Sequence, residues 1–129
     1  MLFGFEEQTA PLNDIELNAA NIIADCLSRH HVGRGNAVTG AHIGNSLAQY
    51  AVEFRDQKGR AYLTGPRIRK IINYIRSNGM CPRLIASSNG YYVSNDRDEI
   101  DAYITSLRER ASAITAIANK LENERKEAA

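Results

Sequence analysis

The chain has 129 residues, of which 43% are hydrophobic and 24% charged, a composition that suits one soluble domain with an appendage and excludes a second independent core. No apolar run approaches the roughly 20 residues of a membrane span. The start MLFGFEEQTAPLND carries acids where a secretory leader needs bases, so the expected location is the cytoplasm, with no membrane partner. A net charge of +1 excludes a uniformly basic nucleic-acid binder.

In chain order, the stretch PLNDIELNAANIIADCLSRHHVG places Ile15, Ala19, Ile22, Ile23, Cys26 and Leu27 at three- and four-residue steps. This predicts a core-packing helix capped by Asn13 or Asp14 and ending near Gly33. After the connector GRGN, Thr39 is placed to cap a second, short helix through Ile43, Leu47 and Ala51, weakened by Gly44. Residues 52–62 read as a polar turn around Lys58-Gly59, its ends pinned to the core by Val52, Phe54 and Tyr62. Cys26 and Cys81 have no partner spacing and read as reduced, buried or half-buried apolar residues.

The third predicted helix is LTGPRIRKIINYIRSNG, with Thr64 as cap, Pro66 in the first turn and Asn78-Gly79 as a left-handed stop. At 100° per residue, Ile68, Ile71, Ile72 and Ile75 share about 100° of arc, a stripe that must be buried. The opposite side carries Pro66, Lys70, Asn73 and Ser77, with Arg67 and Tyr74 on one shoulder and Arg69 and Arg76 on the other. This helix lies in a window from Gln57 to Asn95 that contains no acid, while Lys58, Arg60, Arg67, Arg69, Lys70, Arg76 and Arg83 are all basic. The flanking segments are net acidic, so the chain's near-neutral sum hides a polarised middle.

In RLIASSNGYYVSN, β-favouring residues flank Asn89-Gly90, which predicts a hairpin pairing 84–87 with 91–94 through a type I′ turn. Its tip of Ser87, Ser88 and Asn89 is polar and free of acids. One tyrosine of Tyr91-Tyr92 should enter the core because the two alternate sides of the ribbon. The final segment starts at an Asn95 or Asp96 cap and repeats Ile100, Leu107, Ile114 and Leu121 every seven residues. A helix from about Asp98 to Glu124 follows, too long for one small domain to cover. Leu107, Ile114, Ile117 and Leu121 are its expected dimer contacts, with a fold-back over its own core as the alternative.

The fold class is mainly α with a small β-hairpin, ordered as a winged helix-turn-helix in residues 1–95 with a long C-terminal helix in 96–129. Three segments, LTGPRIRKIINYIRSNG, LIASSNGYYVS and EIDAYITSLRERASAI, carry a resemblance. Across roughly residues 38–117, the chain resembles small winged-helix proteins encoded by bacteriophages and prophages. That resemblance implies double-stranded DNA binding in transcriptional regulation or as a replication accessory. Asn89 stands where related sequences often carry a lysine, and the connection before the third helix exceeds the three or four residues of a minimal helix-turn-helix.

A helix fits the major groove, its donors read base edges, and a ribbon tip approaches the neighbouring backbone. The candidate contacts are Arg67, Arg69, Lys70, Asn73 and Ser77 in the groove and on phosphate, Arg76, Lys58 and Arg60 on the backbone, and Ser88 and Asn89 at the wing. Neutralising about 3 to 5 phosphates per subunit gives a log–log salt slope of about −3 to −5. The rival class is a protein-interaction module that docks the same basic helix on an acidic host partner.

Chemistry is less well represented. Cys26 and His30 share a helix face near His31, but neither His42 nor Cys81 has the spacing of a further zinc ligand, so no metal is expected. GNAVTG has the glycine spacing of a phosphate-binding loop, yet Ala41-His42 replace its Lys-Ser/Thr and no strand precedes it. No nucleophile–base set or carboxylate pair stands out, so neither an enzyme nor a cofactor is expected.

Overall fold

The computed structural model describes residues 10–128, and the expected irregular start, residues 1–9, lies outside them. The elements run α1 (Asp14–His30), α2 (Gly40–Tyr50), α3 (Gly65–Ser77), β1 (Leu84–Ser87), β2 (Gly90–Val93) and α4 (Arg97–Ala128). Short 3₁₀ turns at Arg34–Asn36 and Val52–Phe54 interrupt the connections. The chain divides after Asn95 into two compact units. It is mainly helical, with one antiparallel hairpin and a long C-terminal helix.

Local chemistry explains the helix ends. Asn13 caps α1 through a reciprocal box: its Oδ1 accepts from the Glu16 N–H (2.8 Å) and its own N–H donates to Glu16 Oε1 (2.9 Å). Thr39 Oγ1 accepts from the His42 N–H to open α2 (3.1 Å). Thr64 occupies the cap position of α3 but makes no side-chain cap bond, and Pro66 sits in the first turn where no N–H is needed. Gly79, at φ +65°, stops α3 while the Met80 N–H reaches back to the Ile75 carbonyl (3.0 Å).

The core of the first unit is built from one stripe of each helix. Ala19, Ala20, Ile23 and Leu27 of α1, Ile43 and Leu47 of α2, and Ile68, Ile71, Ile72 and Ile75 of α3 are buried together with Phe54, Leu63, Leu84 and Val93. Gly44 has a packing reason rather than being a simple weakness in α2. A β-carbon there would collide with the Leu63 carbonyl, so the segment entering α3 lies directly against the α2 backbone. Val52 does not pin its turn to the core, being 75% exposed, while Phe54 is fully buried and Tyr62 packs half-buried against the core. Cys81 is buried as expected, but Cys26 is exposed on α1.

The hairpin differs by one residue from its expected register. Ser87 pairs with Gly90 and Leu84 with Val93, so the two-residue loop is Ser88-Asn89 and the second strand starts at Gly90. Asn89 does not adopt positive φ, which removes the type I′ turn. The Ser87 hydroxyl holds the loop instead, accepting from the Asn89 N–H (3.2 Å) and donating to the Gly90 carbonyl (3.0 Å). Gly90, at φ +117°, serves a close approach: a β-carbon would strike the Val38 carbonyl.

That approach reflects a strand-like role of the connector between α1 and α2. Val38 and Tyr91 exchange both backbone hydrogen bonds (3.0 and 2.7 Å). Farther along, the Gly33 N–H donates to the Val93 carbonyl and the Val93 N–H to the His31 carbonyl, both at 2.8 Å. Strand β2 is thus bonded along both edges, by β1 and by the connector. Tyr92 is the buried tyrosine and Tyr91 is half-buried against the core.

In the second unit, Asp96 caps α4 by accepting from the Asp98 and Glu99 N–H groups (3.0 and 3.4 Å). The helix continues to Ala128, past the expected end near Glu124. Its 32 residues span about 48 Å. Among the described residues, no helix is long and apolar enough to cross a membrane.

Candidate nucleic-acid interface

With its four isoleucines buried, α3 presents two polar shoulders, and the structure treats them differently. The shoulder of Arg67 and Lys70 faces α1. Lys70 Nζ lies 2.9 Å from Glu16 Oε1 and Arg67 Nη1 lies 3.5 Å from Glu16 Oε2. Glu16 is completely buried, and the Lys70 side chain is only 13% exposed.

This corrects the expected place of Lys70. Its ammonium is not on the exposed face of α3 but is turned inward by a carboxylate from the acidic first segment. Burying that carboxylate without a partner would cost several kcal/mol, on the order of what one good ion pair returns. Burial pushes the Glu16 pKa up, but the Asn13 N–H, Lys70 and the charge of Arg67 outweigh it, and the net shift is downward. Arg67 is 43% exposed and its guanidinium lies 4.5 Å above the Tyr62 ring, a cation–π contact. The Asn13 side chain donates to the Tyr62 hydroxyl (3.2 Å), so α1, the segment leading into α3 and α3 itself meet in one polar knot.

The other shoulder is formed by Arg69, Asn73 and Arg76 at i, i+4 and i+7, with Ser77 beside them. Arg69 and Ser77 are exposed, while Asn73 and Arg76 are half-buried and already engaged in interactions within the chain. This shoulder combines two guanidinium groups with a side-chain amide. Both groups can make paired hydrogen bonds to base edges or to phosphate.

The turn carrying Lys58 and Arg60 is organised by Asp56, which lies one residue outside the acid-free window. Asp56 Oδ1 accepts from the backbone N–H groups of Lys58 (2.8 Å) and Arg60 (2.9 Å), and Arg60 Nε lies 3.4 Å from Asp56 Oδ2. The Arg60 N–H does most to lower the Asp56 pKa, and with the Lys58 N–H and the Arg60 side chain it outweighs the opposing effect of burial. Arg60 is therefore partly neutralised, while Lys58 is exposed. Arg60 lines an open depression of about 660 Å³ with Asp56, Tyr62, Thr64 and Arg67, which places this turn beside the Arg67 shoulder.

Ser88 and Asn89 are exposed at the ribbon tip. Strand β2 and α3 share Gly40 as a neighbour. A β-carbon there would lie 3.2 Å from Ile68 Cγ2 and 3.8 Å from Tyr91 Cε2. The third cation of the acid-free window outside α3, Arg83, has φ +64° and donates through Nε to the Ser94 carbonyl (3.2 Å), which ties it to the root of the hairpin.

Three participants escaped sequence reasoning: Glu16, Asp56 and the Val38 strand. Glu16 had a signal, since it stands three, four and seven residues before Ala19, Ala20 and Ile23 on the buried stripe. An acid in that stripe requires a cation from elsewhere.

Elsewhere in the unit, Ile22, Cys26, His31, His42 and Tyr50 line an apolar groove of about 280 Å³ between α1 and α2. Among the described residues, no cluster of three His, Cys, Asp or Glu side chains is placed to hold a metal ion. In α4, Leu107, Ile114, Ile117 and Leu121 are 38%, 46%, 55% and 61% exposed. Compared with protein-family models, curated proteins and solved structures, the chain matches none.

Proposed function

We propose that this chain is a double-stranded DNA-binding protein of winged-helix type, working as a homodimer through α4 in phage or prophage transcription or replication. The observation that carries this reading is the division of α3. One shoulder is fastened to Glu16, while the other carries the exposed Arg69 beside Asn73 and Arg76, which are half-buried and engaged within the chain, a set with the chemistry of base and phosphate recognition. Fastening one side fixes the helix rotation, so the backbone that carries the outer side chains is already in place before binding. The Val38–Tyr91 pairing supports the wing by holding the ribbon against the start of α2. Ser88 and Asn89 supply its contacts at the tip, as hydrogen-bonding groups rather than charges.

The contact set is narrower than composition alone implies. Arg69, Asn73, Arg76 and Ser77 form its centre, Lys58 and the exposed part of Arg67 lie at its edge, and Lys70 has a structural duty. The small number of outward cations favours one second reading, a module that docks the same shoulder on an acidic protein. Anisotropy titration with random and genomic duplex DNA at low salt separates the two. Duplex binding weakened by Arg69→Ala supports the proposal. Absence of duplex binding, with retained binding of an acidic peptide, supports the second reading.

A further inference from the structure

The apolar stripe of α4 has a residue pattern that specifies what covers it. Two sets of positions alternate along the helix at steps of three and four: Leu107, Ile114 and Leu121 in one, and Ile104, Ala111, Ala118 and Arg125 in the other, so the two middle members of the second set are small. None of the residues of α4 is buried, and the large members of this stripe retain 38% to 61% of their exposure.

We propose that this stripe is covered by the α4 helix of a second copy running antiparallel to it, with the two-fold axis passing beside Ile117. The inference rests on the proposed self-association and is independent of DNA binding. In this register the large and small residues of the central layers complement one another, Ile114 meeting Ala118 of the other helix and Leu121 meeting Ala111, while at the ends Leu107 meets Arg125. Ile117, which lies off the stripe and is 55% exposed, meets its own symmetry mate.

The flanking charges select the same register. An antiparallel pair brings like-lettered flanking positions together, so Arg110 faces Glu124 of the other helix on one side and Arg108 faces Glu122 on the other. The two-fold axis repeats both, making four complementary pairs. A parallel pair would instead set Arg110 against Thr115, Ile117 against Glu122 and Arg125 against its own mate, with no compensating ion pair. Within its own helix Glu122 already lies 3.5 Å from Lys126 Nζ, so it would be shared between that lysine and Arg108 of the partner.

The register is tested by charge reversal in the full chain, using Arg108→Glu with Arg110→Glu in one variant and Glu122→Arg with Glu124→Arg in the other. Sedimentation velocity reads the association, and circular dichroism verifies that each variant remains helical. The wild-type chain is expected to dimerise. Each variant alone should associate at least about tenfold more weakly, because four attractive pairs become repulsive, and an equimolar mixture should recover a heterodimer. A wild-type chain that stays monomeric overturns self-association. A wild-type dimer whose strength survives in either variant alone, or whose loss is not repaired by mixing, overturns the antiparallel register. Neither result bears on duplex binding.

Discussion

The two shoulders of α3 carry the same chemistry and have opposite fates. Lys70 and Arg67 reach Glu16 on α1, while Arg69, about 100° around the helix from Lys70, lies exposed. Charge density along a sequence therefore overstates charge density on a surface. A basic helix that is acid-free over its neighbouring sequence can still have a buried acid from a distant helix beneath it. Here that acid uses Lys70 and part of Arg67 for folding, which leaves Arg69 as the exposed cation of the helix, beside Asn73 and Arg76, which are half-buried and engaged within the chain.

The largest expected effect comes from breaking the inner shoulder. Lys70→Ala leaves the fully buried Glu16 carboxylate without its close cation and should cost about 3 to 5 kcal/mol of unfolding free energy, read by urea titration. A much smaller loss would mean that Lys70 is free to leave Glu16 and join the outer surface. Replacing both partners, as Glu16→Gln with Lys70→Met, should recover a good part of that loss, because no buried charge is left behind.

Lowering the pH examines the same contact from the other partner. The folded-state pKa of Glu16 is depressed, so its contribution is fully present above the unfolded value of about 4.3 and disappears as pH falls through the folded one. The stability difference between wild type and Glu16→Gln should therefore narrow as pH is lowered below about 4.3. A difference that stays constant down to pH 2 would contradict the assignment.

On the outer shoulder, Arg69→Ala should leave thermal stability unchanged and weaken duplex binding by about 1 to 2 kcal/mol, the range of a single arginine contact. The smallest effect belongs to Asn89→Lys at the ribbon tip. That change adds one exposed cation at the wing and should strengthen duplex binding by a few tenths to about 1 kcal/mol, without altering sequence preference. Tighter binding at one sequence alone would place the tip on base edges instead of the backbone.

What was readable in the sequence follows from how local its physical causes are. The boundaries of α1, α2 and α3 were legible because Asn13, Thr39 and the Asn78-Gly79 stop act within a few residues of the ends they define. The isoleucine stripe of α3 was legible from periodicity alone. The hairpin was visible in kind but not in register, because Gly90 answers to Val38, more than fifty residues earlier, rather than to its turn. The candidate site was legible as a helix and illegible as a surface. Nothing near Lys70 in sequence announces Glu16, and Asp56 escaped notice by falling one residue before the acid-free window.

The central claim, that the outward face of α3 and not its whole basic complement meets DNA, is tested most directly by salt dependence. Duplex affinity of wild type and Arg69→Ala would be measured across a range of salt concentrations. With Lys70 held by Glu16, the wild-type log–log slope should lie at the shallow end of the composition-based range, about −3 per subunit, and Arg69→Ala should reduce it by about 1. A flat response, or a slope and affinity unchanged in Arg69→Ala, would contradict the account.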